Sequence, residues 1–162
     1  MTGNALNMLH INVNCSNLER ALEFYRLIGF RESVMPDGTP VGEGGGNFGE
    51  VGLGPLFRLP DDCRGRFRML RYGVEESGTV LDLIEWTHPR EAAFKRTLSQ
   101  PGFARMCLTV RSCQDMHDKL VAAGYAVYTE PRLIDMGVGR FYVFCCEDPD
   151  GTIMEFMEVL SF

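Results

Sequence analysis

Two carboxylates stand within strongly apolar segments of the chain. Asp82 lies in VLDLIEW and Glu155 lies in IMEFMEV. Because side chains of a strand alternate between its two faces, each carboxylate would share its face with apolar neighbours two positions away. An ionised carboxylate is costly to bury there unless it is ion-paired, hydrogen-bonded or bound to a metal. Both residues are therefore candidates for metal binding or acid–base chemistry.

His10 is a third candidate, because imidazole is the side chain whose pKa lies nearest neutral pH. It lies in the segment LHINVNC (9–15), whose alternation of apolar residues predicts a strand. The other two histidines are weaker candidates. His88 precedes Pro89 and is predicted in a turn, whereas His117 is predicted at the surface or half-buried on a helix.

An internal repeat supplies the elements that would hold these residues. Segments 8–30 and 103–127 both predict a strand, a helix that begins at a Ser or Asn cap, and a glycine that ends the helix. His10 and Arg105 occupy matching positions in the two segments, 95 residues apart. Arg105 thereby joins the candidates.

The last strands of the two halves match as well. GTVLDLIEW (78–86) aligns with GTIMEFMEV (151–159), so that Asp82 and Glu155 correspond at a separation of 73 residues. The first half therefore carries about 22 extra residues, the difference between 95 and 73. They fall in the glycine-rich stretch 36–65, predicted as a long loop or flap with a short strand or turn over 51–59.

The repeat predicts one domain over residues 1–162, of the α+β class. Its first module spans 8–86, residues 87–102 form a linker with a short helix over 91–98, and the second module spans 103–160. Each half alone is too small to bury an adequate core.

Composition excludes several classes of protein. Apolar residues make up 45% and charged residues 23% of the 162 residues, as in globular proteins, and the net charge is −6. This acidity disfavours nucleic acid and anionic membranes as partners. No apolar run reaches the roughly 20 residues that a membrane helix needs, and the first residues do not resemble a signal peptide.

Cysteine usage indicates a reducing compartment. The six cysteines form no Cys-x-x-Cys pair, and four of them stand in apolar runs. We predict these four, Cys15, Cys107, Cys145 and Cys146, as buried free thiols in a cytoplasmic protein.

Two segments carry a resemblance to a known family. His10 followed by NLERALEFYRLIGF, and DPDGTIMEFMEV near the end, resemble the vicinal oxygen chelate superfamily of glyoxalases, bleomycin resistance proteins and extradiol dioxygenases. The resemblance implies two tandem βαβββ modules whose facing, curved mixed sheets enclose a cavity, the glyoxalase/bleomycin resistance/dihydroxybiphenyl dioxygenase fold. It also implies a homodimer.

The resemblance also implies a metal site, since metal-binding members place one ligand on the first and one on the last strand of each module. The matching positions are His10, Asp82, Arg105 and Glu155, and arginine departs from the family pattern. A metal site of His10, Asp82 and Glu155 would suit iron, manganese, nickel or zinc.

The alternative is that Arg105 replaces the metal. Its guanidinium would pair with Asp82 or Glu155, or bind an anionic oxygen of the substrate. His10 would then act as general base, so that His10, Arg105 and Glu155 are the predicted catalytic residues.

The function that the resemblance implies is an enzyme acting on a small, possibly anionic, oxygenated molecule. A metal or Arg105 would stabilise an oxyanion during lyase, isomerase or epimerase-type proton abstraction next to a carbonyl, or during dioxygenase chemistry. The alternatives are a metal-free binding protein of the drug-resistance type and a metal-independent cyclase or dehydratase.

Overall fold

The chain folds into two compact units, unit 1 (Met1–Ala92) and unit 2 (Ala93–Phe162). The computed structural model describes residues 8–73, 79–92 and 97–162. The division between the units falls inside the segment predicted as a linker. The helix predicted over 91–98 includes residues 93–96, which lie outside the described residues.

Unit 1 contains a four-stranded mixed sheet in the order β1-β4-β3-β2, in which β1 runs parallel to β4 and the other pairs are antiparallel. Its elements in chain order are β1 (His10–Asn14), α1 (Leu18–Leu27), β2 (Phe30–Glu32), α2 (Leu53–Phe57), β3 (Arg64–Tyr72) and β4 (Val80–His88).

Unit 2 repeats this plan in the order β5-β8-β7-β6, with β5 parallel to β8. Its elements are β5 (Met106–Thr109), α3 (Cys113–Ala122), β6 (Arg132–Asp135), β7 (Arg140–Glu147) and β8 (Ile153–Ser161). The predicted α+β class and the two βαβββ modules are thus confirmed.

In each unit, a glutamate of the last strand caps the start of the helix. Glu85 of β4 accepts a hydrogen bond from the Leu18 backbone N–H at 3.1 Å, and Glu158 of β8 accepts one from the Cys113 N–H at 2.8 Å. These carboxylates satisfy helix donors that have no intrahelical partner. Glu85 and Glu158 lie three positions after Asp82 and Glu155, so they point to the opposite face of the sheet.

Apolar side chains fill the space between each helix and its sheet. In unit 1, Phe24 and Tyr25 of α1 and Leu83 of β4 are fully buried, and in unit 2 the same holds for Leu120 of α3 and Phe156 of β8. Each such side chain stabilises the fold by about 1.5–3 kcal/mol. The opposite face of each sheet is therefore left for function.

The glycine-rich segment differs from its prediction. It contains the short helix α2 where a strand or turn was expected, and α2 is flanked by two left-handed residues, Gly52 and Arg58. Phe48 packs its ring against Trp86, with centroids 5.0 Å apart. A Cβ added at Gly65 would lie 2.8 Å from the Phe48 ring, so this glycine permits the close approach.

All six cysteines are free thiols. Cys15 and Cys146 are buried as predicted, but Cys107 is exposed and Cys145 is half-buried, so the prediction is wrong for these two. Both lie on strands and point to the sheet face opposite α3, an orientation that an apolar run alone does not reveal. None of the described helices is long and apolar enough to cross a membrane.

Candidate functional site

The four candidate residues form two pairs, one in each unit. His10 and Asp82 lie on β1 and β4 of unit 1, while Arg105 directly precedes β5 and Glu155 lies on β8 of unit 2. The pairing registers of the two sheets correspond. Asp82 lies opposite Asn12 on the first strand, and Glu155 lies opposite Cys107.

Asp82 is a buried carboxylate in unit 1, with 8% of its surface exposed. The Asn12 Nδ2 donates a hydrogen bond to Asp82 Oδ2 at 2.9 Å. Asp82 Oδ1 is buried as well and has no hydrogen-bond partner among the described residues. On its own strand Asp82 lies between Val80 and Ile84, both buried, as the sequence indicated. One carboxyl oxygen of Asp82 is therefore held by a hydrogen bond, and the other has no partner among the described residues.

Burial dominates the electrostatics of this group. It raises the pKa of Asp82, and the charge of His10 and the hydrogen bond from Asn12 oppose that rise without cancelling it. Asp82 therefore takes up a proton more readily than an aspartate in water. A buried oxygen without a partner costs about 1–3 kcal/mol, which the protein tolerates more easily when the carboxyl is neutral.

Sequence reasoning missed a column of polar side chains along β1. His10, Asn12 and Asn14 are all exposed and share one face of the strand. Asn14 Oδ1 accepts a hydrogen bond from Trp86 Nε1 at 3.0 Å. The signal was present in the sequence as the alternation HINVN, in which every polar residue falls on the same face.

In unit 2, the carboxylate of Glu155 is hydrogen-bonded to an arginine, whereas Asp82 of unit 1 is hydrogen-bonded to an asparagine. Arg105 Nε donates a hydrogen bond to Glu155 Oε2 at 2.7 Å, so the structure contains one of the pairings expected for this arginine. The Glu155 side chain is 14% exposed and the Arg105 side chain 44%. The hydrogen bond and charge of Glu155 raise the pKa of Arg105, which keeps the guanidinium charged. Glu155 thus has a permanent cationic partner, whereas Asp82 has no such partner among the residues that the structure describes.

Two thiols flank Glu155 on the neighbouring strands, Cys107 on β5 and Cys145 on β7. Burial, followed by the negative charge of Glu155, raises the pKa of Cys107 to about 11, and the same causes raise the pKa of Cys145. Both thiols are therefore protonated at neutral pH, which makes them poor nucleophiles.

Within each unit taken by itself, the described donors do not make up a metal site. Among the residues that the structure describes, no group of three or more His, Cys, Asp and Glu is placed to hold one. Glu155 is engaged by Arg105, whose positive charge disfavours a divalent cation nearby. Unit 1 by itself offers one imidazole and one carboxylate, His10 and Asp82, fewer than the three protein ligands that catalytic zinc sites use.

The remaining two histidines have partners other than the four candidate residues. His88 ends β4 and is exposed, with Nε2 3.2 Å from Asp62 Oδ1. His117 is buried, at 4% exposure, so the prediction of a surface or half-buried position is wrong. Its ring contacts Phe144, and Nδ1 lies 2.9 Å from Asp118 Oδ1. Packing of α3 on the sheet turns this face of the helix inward.

Comparison with known proteins identifies the family. A family model described as the Glyoxalase/Bleomycin resistance protein/Dioxygenase superfamily matches residues 7–156. The chain belongs to this superfamily. Comparison with curated proteins gives no significant match. Membership of the superfamily supports a general role as a small-molecule enzyme or binding protein.

Solved structures of the superfamily share the fold. A glyoxalase family protein from Bacillus cereus superposes with a TM-score of 0.77 at 18% identity, over 98% of this chain and 97% of that one. A glyoxylase/bleomycin resistance protein/dioxygenase domain from Frankia sp. EAN1pec gives 0.60 at 17% identity, over 96% and 93%. The trypanothione-dependent glyoxalase I of Leishmania major gives 0.56 at 18% identity, over 95% and 87%.

Proposed function

We propose that this chain is an enzyme that abstracts a proton next to a carbonyl group of a small oxygenated molecule, without a metal, and that Asp82 is its acid–base group. The observation that supports this proposal is the buried carboxyl of Asp82, with Oδ2 bound by Asn12 and Oδ1 buried without a hydrogen-bond partner in the described part of the chain.

The step proposed for Asp82 uses its free oxygen. As the carboxylate, Asp82 takes the proton onto Oδ1 while the electron pair of the broken C–H bond moves to the carbonyl oxygen of the substrate, which becomes an enolate. Return of the proton to carbon gives the product. A base is most effective when its pKa lies near the working pH, and burial moves the pKa of Asp82 in that direction.

His10 remains a proposed catalytic residue in this scheme. Its side chain is exposed, and its charge lowers the pKa of Asp82. A proton carried by His10 thus favours the ionised, proton-accepting form of Asp82.

In unit 2, Arg105 is proposed to bind an anionic oxygen of a small molecule. Glu155 holds the Nε edge of the guanidinium, and nearly half of the arginine side chain is exposed. Arginine offers five N–H donors, so the hydrogen bond to Glu155 leaves donors for a carboxylate or an enolate oxygen. Because Glu155 accepts the hydrogen bond from the Arg105 guanidinium, we propose it as a positioning residue for Arg105, with the acid–base role carried by Asp82.

A metal-free binding protein is the second candidate function. The exposed polar column His10, Asn12 and Asn14 next to the half-buried ring of Trp86 would bind an oxygenated molecule without changing it. The cytoplasmic location predicted from the free cysteines fits both candidates and stays a prediction.

The experiment is solvent hydrogen exchange. A panel of small ketones and 2-oxo acids is incubated with the protein in D2O, and NMR follows deuterium incorporation next to the carbonyl. We expect exchange with the wild type and with Asp61→Asn, an exposed control, and a loss of roughly 100-fold or more with Asp82→Asn. Exchange should survive a chelator.

Equal exchange by the wild type and Asp82→Asn would contradict the role of Asp82. Loss of exchange with a chelator, restored by one divalent ion, would contradict the metal-independent mechanism. Binding of a panel member without any exchange would favour the binding protein.

A further inference from the structure

Three aromatic side chains form a cluster on the face of the unit 1 sheet that carries Asp82. The aromatic cluster consists of Phe48, Phe67 and Trp86. The Phe48 ring contacts both of the others, with its centroid 5.0 Å from that of Trp86 and 5.7 Å from that of Phe67. All three side chains are half-buried, whereas Phe24, which packs between α1 and the other face of the sheet, is fully buried. The aromatic cluster therefore presents ring surface that is not part of the core between helix and sheet.

Strand register places the aromatic cluster next to Asp82. Trp86 is four positions after Asp82 on β4, so the two side chains share a face. Phe67 of β3 lies opposite Ile84, which is two positions after Asp82. Phe67 is therefore a diagonal neighbour of Asp82, and such neighbours are about 7–8 Å apart. A molecule whose reacting carbon lies at Asp82 reaches the rings of Phe67 and Phe48 with a substituent only a few bonds away.

The glycine-rich segment 36–65 brings Phe48 to this face of the sheet. Backbone hydrogen bonds join Gly46 and Gly65 in both directions, at 2.7 and 2.9 Å, and connect the segment to the start of β3. Gly65 lies opposite Trp86, and a Cβ at Gly65 would come within 2.8 Å of the Phe48 ring. The absence of a side chain at Gly65 thus leaves the space in which the Phe48 ring packs beside the indole.

The aromatic cluster belongs to unit 1 and not to the repeated plan. In the alignment of the two last strands, Val159 of β8 takes the place of Trp86. Unit 2 also lacks the extra residues of the segment that contains Phe48. The ring surface therefore accompanies the unit that contains Asp82.

The chemistry of the aromatic cluster favours a ligand with an aromatic ring. Trp86 Nε1 already donates to Asn14 Oδ1 at 3.0 Å, so the indole is held in place and presents apolar ring atoms. Aromatic rings in offset-stacked or edge-to-face contact are stabilised by more than their buried area alone provides. A flat ring therefore matches this surface better than an aliphatic chain or a charged group does.

We propose that the substrate of Asp82 carries an aromatic ring, which packs on the aromatic cluster while the carbon that loses its proton lies at the Asp82 carboxyl. This substrate class, an aryl-substituted carbonyl compound, rests on the proton abstraction proposed for Asp82. Phe48 is then a specificity-determining residue, because its ring contacts both other members of the cluster.

Fluorescence tests the proposal directly, because Trp86 is the only tryptophan of the sequence. The full chain is titrated with benzylacetone, with the cyclohexyl analogue of benzylacetone and with acetone, each up to about 10 mM. We expect benzylacetone to change the Trp86 emission saturably, and the cyclohexyl analogue to bind with a dissociation constant at least about threefold higher. Acetone has no ring and should give no saturable change.

Two matched substitutions in the segment 36–65 test the contribution of the Phe48 ring. Phe48→Leu keeps an apolar side chain beside Trp86 and should raise the dissociation constant of benzylacetone about threefold to tenfold. Phe57→Leu, at an exposed phenylalanine of α2, is the control and should leave this constant unchanged. Circular dichroism checks that each variant is folded, and Phe67→Leu provides the same test if Phe48→Leu unfolds.

Three results would overturn the proposal. They are the absence of a saturable change with benzylacetone, equal affinity for the cyclohexyl analogue, and unchanged affinity in folded Phe48→Leu.

The role of Asp82 is read separately, from deuterium exchange into acetone and benzylacetone. Exchange that Asp82→Asn abolishes, and that folded Phe48→Leu performs on benzylacetone as fast as the wild type, would support the acid–base role and overturn the aromatic substrate. Binding of benzylacetone that depends on Phe48 but is never followed by exchange would support the aromatic site and contradict the acid–base role.

Discussion

At the scale of single residues, equivalent carboxylates of the repeat have acquired different environments. Asp82 and Glu155 occupy matching register positions, but Asp82 accepts from a neutral amide while Glu155 accepts from a guanidinium. Burial consequently raises the pKa of Asp82, whereas Glu155 has a permanently charged guanidinium as its hydrogen-bond partner. The same position can therefore serve proton transfer in one unit and anion binding in the other.

The charge of Glu155 should be measurable through its neighbour Cys107. Burial is the main cause that raises the pKa of Cys107 to about 11, and the Glu155 charge adds to it. Glu155→Gln removes the added part and leaves Arg105, whose charge lowers the thiol pKa, so more thiolate is present at a given pH. We predict alkylation of Cys107 by iodoacetamide at pH 8 to become a few-fold faster, since the thiolate is the nucleophile.

Mass spectrometry of the labelled peptide gives this rate separately from the other thiols. Glu50→Gln, an exposed carboxylate of unit 1, is the matched control and should leave the rate unchanged. An unchanged or slower rate in Glu155→Gln would mean that Glu155 does not influence this thiol.

Much of the candidate site was predictable at this scale, and the rest required tertiary contacts. A carboxylate between apolar residues of a predicted strand can be recognised in the sequence, and Asp82 and Glu155 were identified as candidates in this way. The pairing of Arg105 was left open between two carboxylates, because strand order and register decide it. Asn12 was missed, since the alternation HINVN shows the face on which it lies but not that Asp82 lies opposite it.

At the scale of elements, a glutamate of each last strand ties the helix to its sheet. Glu158 accepts from the first N–H of α3, and Glu85 does the same for α1 while also pairing with Arg66. Because strands alternate, the same contacts direct Asp82 and Glu155 to the face away from the helices. The alternation of side chains along the last strand thus places one carboxylate at the helix start and the other on the opposite face of the sheet.

Removal of this cap should destabilise the fold. Glu158→Ala leaves the Cys113 N–H without its acceptor, and we predict a loss of about 1 kcal/mol in the free energy of unfolding. Urea denaturation measures this difference. Glu23→Ala, at an exposed position of α1, is the control and should change stability little. Equal stability of Glu158→Ala and the wild type would show that the cap contributes nothing.

The helices and strands of the repeat were predictable because the helix caps, the turn glycines and the apolar periodicity of the sequence all agree with the fold. Asn17 and Ser112 cap the helices as expected, and Gly29 and Gly124 follow their ends with positive φ. The segment 36–65 was not predictable in the same way. Its order rests on contacts such as that between Phe48 and Trp86, which join residues far apart in sequence.

At the scale of the whole molecule, the chain repeats one βαβββ plan and varies the side chains on it. The superfamily supplies the fold, and the structures compared above share it at identities of 17–18%. At such identities function follows from the residues of the site and not from the fold. The proposed function therefore depends on the protonation state of the Asp82 carboxyl group.

Direct titration of Asp82 tests this account most closely. Infrared difference spectra between the wild type and Asp82→Asn, recorded as the pH is varied, isolate the protonated carboxyl band of this side chain. We predict that the band persists to a pH clearly above the ordinary aspartate value of about 3.9, because burial disfavours the ionised form. Loss of the band at or below that value would contradict the proposed acid–base role.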